Sequence, residues 1–254
     1  MKTRYSGKLK RSLLFLILIG VFSLLACGLE DYPVIDPIPQ GNITQRMNNY
    51  ASVPLPNDYS GTPFTHFVVF YRIYVSDILQ ASTTDTSYSA INPTLASDYS
   101  SFSTYIDSTT HVNVNMDSLF QGRGYKYLSL QDQNINSILS SDALGSSVVF
   151  DFSSSKAPTM SLRGTVYTLR RADGGGLFTP VPSDRLFINR EELWRSDNIT
   201  NQINADVANK SGISDSDRHY TYVAMFIAAV GINPASYSNI YSTPSLIHVF
   251  QLPD

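Results

Sequence analysis

The chain is most informative in what it is short of. Its 254 residues contain one cysteine, Cys27, so no disulfide can form within it, and the fold must be held by its core alone. One tryptophan, four histidines and a charged fraction of only 15% complete the list of scarce residues. None of His66, His111, His219 and His248 has a partner at metal-ligand spacing, and no His-Glu-x-x-His occurs, so a zinc site has no local support. A Gly-x-Ser-x-Gly elbow, which a serine hydrolase of the α/β type needs, is absent. Asp215-Ser216-Asp217 could offer oxygen ligands to calcium, but the EF-hand spacing is missing and a turn before a strand explains it equally well. The glycines of Asp173-Gly174-Gly175-Gly176 lack the following Lys-Ser/Thr and helix start that a phosphate loop requires. A pair of acids far apart in sequence could still serve a glycosidase, though nothing points to one. The residues call for no metal and no cofactor.

There is one long apolar run, and it is short for a membrane span. Leu13 to Leu25, interrupted only by Gly20 and Ser23, covers 13 residues, against the roughly 20 that a spanning helix needs. Lys2, Arg4, Lys8, Lys10 and Arg11 precede it and small Ala26 follows, which gives the three parts of a secretory signal. Leu24-Leu25-Ala26-Cys27-Gly28 resembles the lipobox of bacterial lipoproteins. That resemblance implies a leader of residues 1–26 that is cut off, a diacylglycerol on the Cys27 sulfur and an acylated amino group. Two acyl signals give stable anchoring where one is marginal. The residue after Cys27 is Gly28 and not the Asp that marks inner-membrane retention in many enteric-type relatives, so the resemblance leaves an outer membrane or cell surface open.

Five of the 18 Lys and Arg lie in the leader, so the mature chain sets 13 against 21 Asp and Glu and carries a net charge of −8. A mildly acidic surface argues against nucleic acid as partner. Pro33, Pro37 and Pro39 stand within seven residues after the lipid site, and proline fixes φ and removes a donor. Residues 27–44 are therefore expected to be an extended tether, and residues 45–254 one β-rich globular domain with a large insertion around 79–165.

Strand signals follow. Phe67 to Val75 is β-branched and aromatic on both faces, as in a central strand. Further strands are expected at Tyr125 to Leu130, Ser147 to Phe152 and Leu162 to Arg171, the last joined by the Gly174 to Gly176 turn to Leu177 to Val181. Leu95, Tyr99, Phe102 and Ile106 recur at helical spacing after Asn92-Pro93, which predicts a short amphipathic helix from Thr94 to Ile106. Glu191 to Trp194 reads as a second short helix capped by Asn189.

Tyr220 to Gly231 and Leu246 to Phe250 form a last apolar pair. Tyr222, Ala224, Phe226, Ala228 and Gly231, followed by Pro244 and Ser245, resemble the last two strands of a fibronectin type III or other immunoglobulin-like sandwich. The resemblance implies that Phe67 to Val75 is the third strand of that sandwich. The expected fold is thus mainly β, an antiparallel immunoglobulin-like sandwich with inserted loops and short helices; an α+β antiparallel sheet is the alternative. Aromatics make up 12% of the chain, and Tyr88, Tyr99, Tyr105, Tyr125, Tyr127, Tyr237 and Tyr241 fall in segments expected to be partly exposed, where tyrosine suits a binding surface. The functional expectation is a lipid-anchored cell-envelope protein, non-enzymatic, with a binding or adhesion domain. Its partners would be the membrane, through the lipid on Cys27, and an envelope protein or extracellular ligand. A structural or assembly component of the envelope, and a hydrolase of envelope or extracellular material, are the alternatives.

Overall fold

The computed structural model describes residues 34–46, 49–59, 61–76, 88–105, 116–153, 157–172, 178, 208 and 220–252. Cys27 and the expected leader, His111, His219, Asp215 to Asp217, the expected turn at Gly174 to Gly176 and the expected helix at Glu191 to Trp194 lie outside these residues. The strands in chain order are β1 (Thr44–Arg46), β2 (Tyr50–Pro54), β3 (Phe64–Ser76), β4 (Lys126–Tyr127), β5 (Ser129–Leu130), β6 (Ser147–Asp151), β7 (Thr159–Leu162), β8 (Thr165–Arg170), β9 (Tyr220–Ile232), β10 (Asn239–Tyr241) and β11 (Ser245–Gln251). Among the described residues four short α-helices accompany them: α1 (Tyr88–Ile91), α2 (Pro93–Phe102), α3 (Met116–Gln121) and α4 (Ile135–Ile138).

The described chain is mainly β and folds as a sandwich of two antiparallel sheets. One sheet runs β1-β2-β6-β7-β8-β5. In the other, β9 is central: β3 pairs along it from Ser76↔Tyr220 to Phe64↔Gly231, while β11 and β10 share its opposite side. The three long apolar segments of the sequence, Phe67 to Val75, Tyr220 to Gly231 and Leu246 to Phe250, thus lie side by side as β3, β9 and β11. The chain steps from one sheet to the other within Lys126 to Leu130, since β4 pairs with β3 and β5 with β8. Leu128 between them is buried and its N–H donates to the Val69 carbonyl at 2.8 Å.

Alternation along the strands explains why β3 and β9 look apolar on both faces. Phe67, Val69, Tyr71 and Ile73 of β3 and Val223, Met225, Ile227 and Ala229 of β9 pack between the sheets against Ala51, Val53, Val148, Phe150, Met160 and Leu162. The intervening Val68, Phe70 and Tyr74, with Tyr222, Ala224, Phe226 and Ala228, face the other way onto Leu95, Phe102, Met116 and Phe120. A sheet covered by a second sheet on one side and by helices on the other has no polar face to offer. A register shift between Leu246 and His248 keeps the same sorting in β11, with Leu246 and Val249 under the helices and Ile247 and Phe250 between the sheets.

Helix α2 forms where the sequence predicts one, though it ends at Phe102. The Asn92 side chain accepts from the N–H groups of Thr94 and Leu95, and Pro93 occupies the first turn, where its missing donor costs nothing. The stretch read as one strand from Leu162 begins instead in a hairpin. Arg163 and Gly164 both take positive φ, 51° and 80°, and form the tight turn between β7 and β8.

Two expectations about boundaries are corrected. Packing reaches back well before residue 45, because Ile35 and Ile38 are buried between the sheets and the Asp36 carbonyl accepts from the Tyr59 hydroxyl at 2.9 Å. Residues 79–165 are no insertion into a finished sandwich, since β6 and β7 lie within them and form the middle of the second sheet. The docked N-terminal segment also meets β11. The Gln40 amide donates to the Leu246 carbonyl and accepts from the Leu246 N–H, both at 2.7 Å, and Gln45 Nε2 donates to the Ile247 carbonyl at 2.9 Å.

Candidate functional site

On the helix side of the β3-β9 sheet the apolar layer is broken at one place. Arg72 stands on β3 between Phe70 and Tyr74, in a row otherwise given to packing. A charge there needs a counter-ion, and α2 supplies Asp98 from the same helix face as Leu95 and Phe102. Arg72 Nη1 donates to Asp98 Oδ2 at 2.6 Å. Arg123, in the turn after α3, donates through Nη1 to Asp98 Oδ1 at 3.2 Å and lies over the Phe102 ring, 5.9 Å from its centroid. The Tyr74 hydroxyl donates to Asp98 Oδ2 at 2.6 Å. It also bonds the Tyr125 hydroxyl at 2.8 Å, and because its single proton is committed to the carboxylate, Tyr125 donates there.

Burial grades across this cluster. Asp98 is 3% exposed and Tyr74 and Tyr125 are sealed beneath it, whereas the Arg123 side chain is 36% exposed. Burial first, then the neighbouring Tyr125 and the Asp98 charge, push the Tyr74 hydroxyl well above its ordinary range, with Arg72 opposing. Burial does the same for Tyr125. Both phenols therefore stay neutral donors under the carboxylate.

Above the cluster lies an open cleft of about 590 Å³, lined by Arg72, Asp98, Ser118, Leu119, Gly122, Arg123 and Gly124. Gly124 shapes it twice over. Its φ of +78° closes the turn that carries Arg123, and a β-carbon there would stand 3.2 Å from the guanidinium carbon of Arg72. Among the described residues Arg72 Nε is buried without a hydrogen-bond partner. Among the described residues that line the cleft, two guanidinium groups thus share one carboxylate, leaving one surplus positive charge at its floor. Chemically this suits an anionic group, because guanidinium donors in a fork match carboxylate or phosphate oxygens. It suits proton transfer poorly, since both oxygens of Asp98 already accept.

A second link ties the helix layer to the C-terminal strands. Tyr241 on β10 donates to Asp117 Oδ2 of α3 at 2.5 Å, and burial together with this bond raises its pKa.

The tyrosines expected to form an exposed set are dispersed. Tyr125 is fully buried, Tyr88, Tyr99, Tyr105, Tyr127 and Tyr241 are half-buried against the helix layer, and only Tyr237 projects freely. Tyr88 and Tyr99 pack on each other with ring centroids 4.3 Å apart. His66 and His248 both sit on strands. His248 is buried edge-on to Phe250. His66 Nδ1 lies 2.9 Å from Thr65 Oγ1, which itself donates to the Val230 carbonyl, so the histidine nitrogen carries the proton between them. Burial lowers the His66 pKa. Among the described residues no three His, Cys, Asp or Glu side chains gather to hold a metal, and no helix is long and apolar enough to cross a membrane.

Arg72, Asp98 and Arg123 were not singled out by sequence motif. The available signal was a lone Arg in a two-faced apolar strand and an Asp in the Leu95-Phe102 stripe of an amphipathic helix. Comparison with protein-family models, with curated proteins and with solved structures finds no match to this chain.

Proposed function

We propose that this chain is a bacterial lipoprotein, held at the cell envelope through acylated Cys27, whose sandwich domain is a non-enzymatic binding module for a ligand bearing an anionic group. The single observation that carries the binding reading is the shared carboxylate. Asp98 neutralises one of two arginines and leaves the other's charge facing the cleft. The anchoring reading rests on the basic leader, its apolar core and the Leu24-Leu25-Ala26-Cys27-Gly28 box. Gly28 in place of Asp favours the outer membrane or cell surface.

Two measurements test it. Mass spectrometry of the N-terminal peptide from purified membranes should find Cys27 acylated, and Cys27→Ser should release the protein from the membrane fraction; an unmodified Cys27 refutes the anchor. Calorimetric titration of the mature protein with inorganic phosphate and with glucuronate should show saturable binding of at least one, weakened tenfold or more, about 1.4 kcal/mol, in Arg123→Gln. Equal affinity in that variant, or no binding of either anion, refutes the site.

A further inference from the structure

Among the described residues four large hydrophobic side chains are exposed: Val34 at 39%, Val166 at 63%, Ile232 at 43% and Tyr237 at 85%. Three of them meet at one pole. Val34 adjoins Ile35, whose side chain lies against Gly231 so closely that a β-carbon there would collide with it, and Ile232 follows Gly231. Tyr237 tips the loop that joins β9 to β10, closed by the Asn233 N–H on the Ser238 carbonyl at 2.9 Å and the Tyr237 N–H on the Asn233 carbonyl at 2.8 Å.

Tyr237 is an odd residue for that position. Its φ of 56° is left-handed, a conformation that suits Gly or Asn and costs a residue with a β-carbon about 1–2 kcal/mol. A bulky ring in such a backbone, with its apolar body in water, wants an environment that the isolated domain does not provide. From Asn233 to Asn239 the loop carries no charge.

The length of chain between the anchor and this pole says what that environment is. Seven peptide steps separate Cys27 from Val34, and even fully extended they reach no more than about 25 Å. This argument rests on the lipoprotein reading. Within it, we infer that this pole rests on the lipid surface, with the Tyr237 ring at headgroup depth and Val34 and Ile232 beside it. Tyrosine is favoured there because its ring is apolar and its tip is wet. The surface it fits is zwitterionic, since Glu30 and Asp31 in the short link from Cys27, and Asp36 two residues after Val34, would be repelled by anionic lipid.

The test uses the mature lipidated protein in phosphatidylcholine vesicles, with a nitroxide on Tyr237→Cys or, at the other end of β6, on Ser153→Cys. Cys27 is blocked by its lipid, so each variant has a single reactive thiol. The expected result is an oxygen-to-aqueous-relaxant accessibility ratio several-fold higher at 237 than at 153. Equal, aqueous ratios at both sites with Cys27 shown acylated overturn the inference and leave the anchor standing. Dipolar broadening between labels at 237 overturns it in favour of a second copy of the chain on this face. Unacylated Cys27 overturns the anchor and this inference together.

Discussion

Replacing Asp98 by Asn removes the charge that holds the helix layer to the sheet while changing almost no volume. Three donors converge on that carboxylate, from Arg72 and Tyr74 at 2.6 Å and from Arg123 at 3.2 Å. In the variant they face an amide that can accept at only one end, and Arg72, with its side chain 13% exposed, is left as an uncompensated, mostly buried cation. Breaking a buried pair by removing one partner costs about 3–5 kcal/mol. Arg123 is a third exposed and recovers water, so the lower end, about 3 kcal/mol, applies here. For a domain of this size that lowers Tm by about 6–12 °C. Arg72→Met should cost a similar amount, yet the double variant should cost about as much as either single change, because the second removal takes away the group that the first had stranded. Urea melts followed by circular dichroism of wild type, both single variants and the double give the coupling directly. A loss below about 1 kcal/mol for Asp98→Asn, or additive losses in the double variant, would refute the view that this cluster is one electrostatic unit.

Two other outcomes follow from packing and protonation. Burial raises the pKa of Tyr59, Tyr74, Tyr88, Tyr125 and Tyr241, so the folded state holds their protons more tightly than the unfolded state does. Their contribution is complete below the unfolded value of about 10 and declines as pH rises above it. Phenolate absorbance from these five should therefore appear only together with loss of the circular dichroism signal; their full ionisation with the fold intact would contradict the burial. Gly231→Ala should destabilise by about 1–3 kcal/mol, the usual cost of overpacking, because its β-carbon would enter the Pro63 carbonyl and Ile35. An unchanged denaturation midpoint would show that the N-terminal segment is not seated where described.

The strands that were legible in the sequence are those whose pattern is stated many times over. Phe67 to Val75 and Tyr220 to Gly231 announce burial on both faces through consecutive β-branched and aromatic residues, and both became central strands. Short edge elements such as β1 and β10 hold three residues each, too few for any period to emerge. The β7-β8 turn was hidden because Arg163 takes the left-handed conformation that a reader assigns to Asn or Gly. The proline-bearing segment before residue 45 looked like a free spacer since proline forbids strand pairing. It docks all the same, by lodging Ile35 and Ile38 with no need of a ladder. The cleft was illegible for a different reason: its charges come from β3, α2 and the turn after α3, and only the fold brings them together.

The outer side of β11 would ordinarily present unpaired amide groups to any passing strand, and crowding a population of such chains onto one surface would turn that edge into a seed for polymerisation. Gln40 answers Leu246 with both halves of its amide, and Gln45 takes the carbonyl of Ile247. Side chains thereby mimic a neighbouring strand without being one. The same segment thus covers this edge of the sheet, so a strand of another copy could add to β11 only by displacing Gln40 and Gln45.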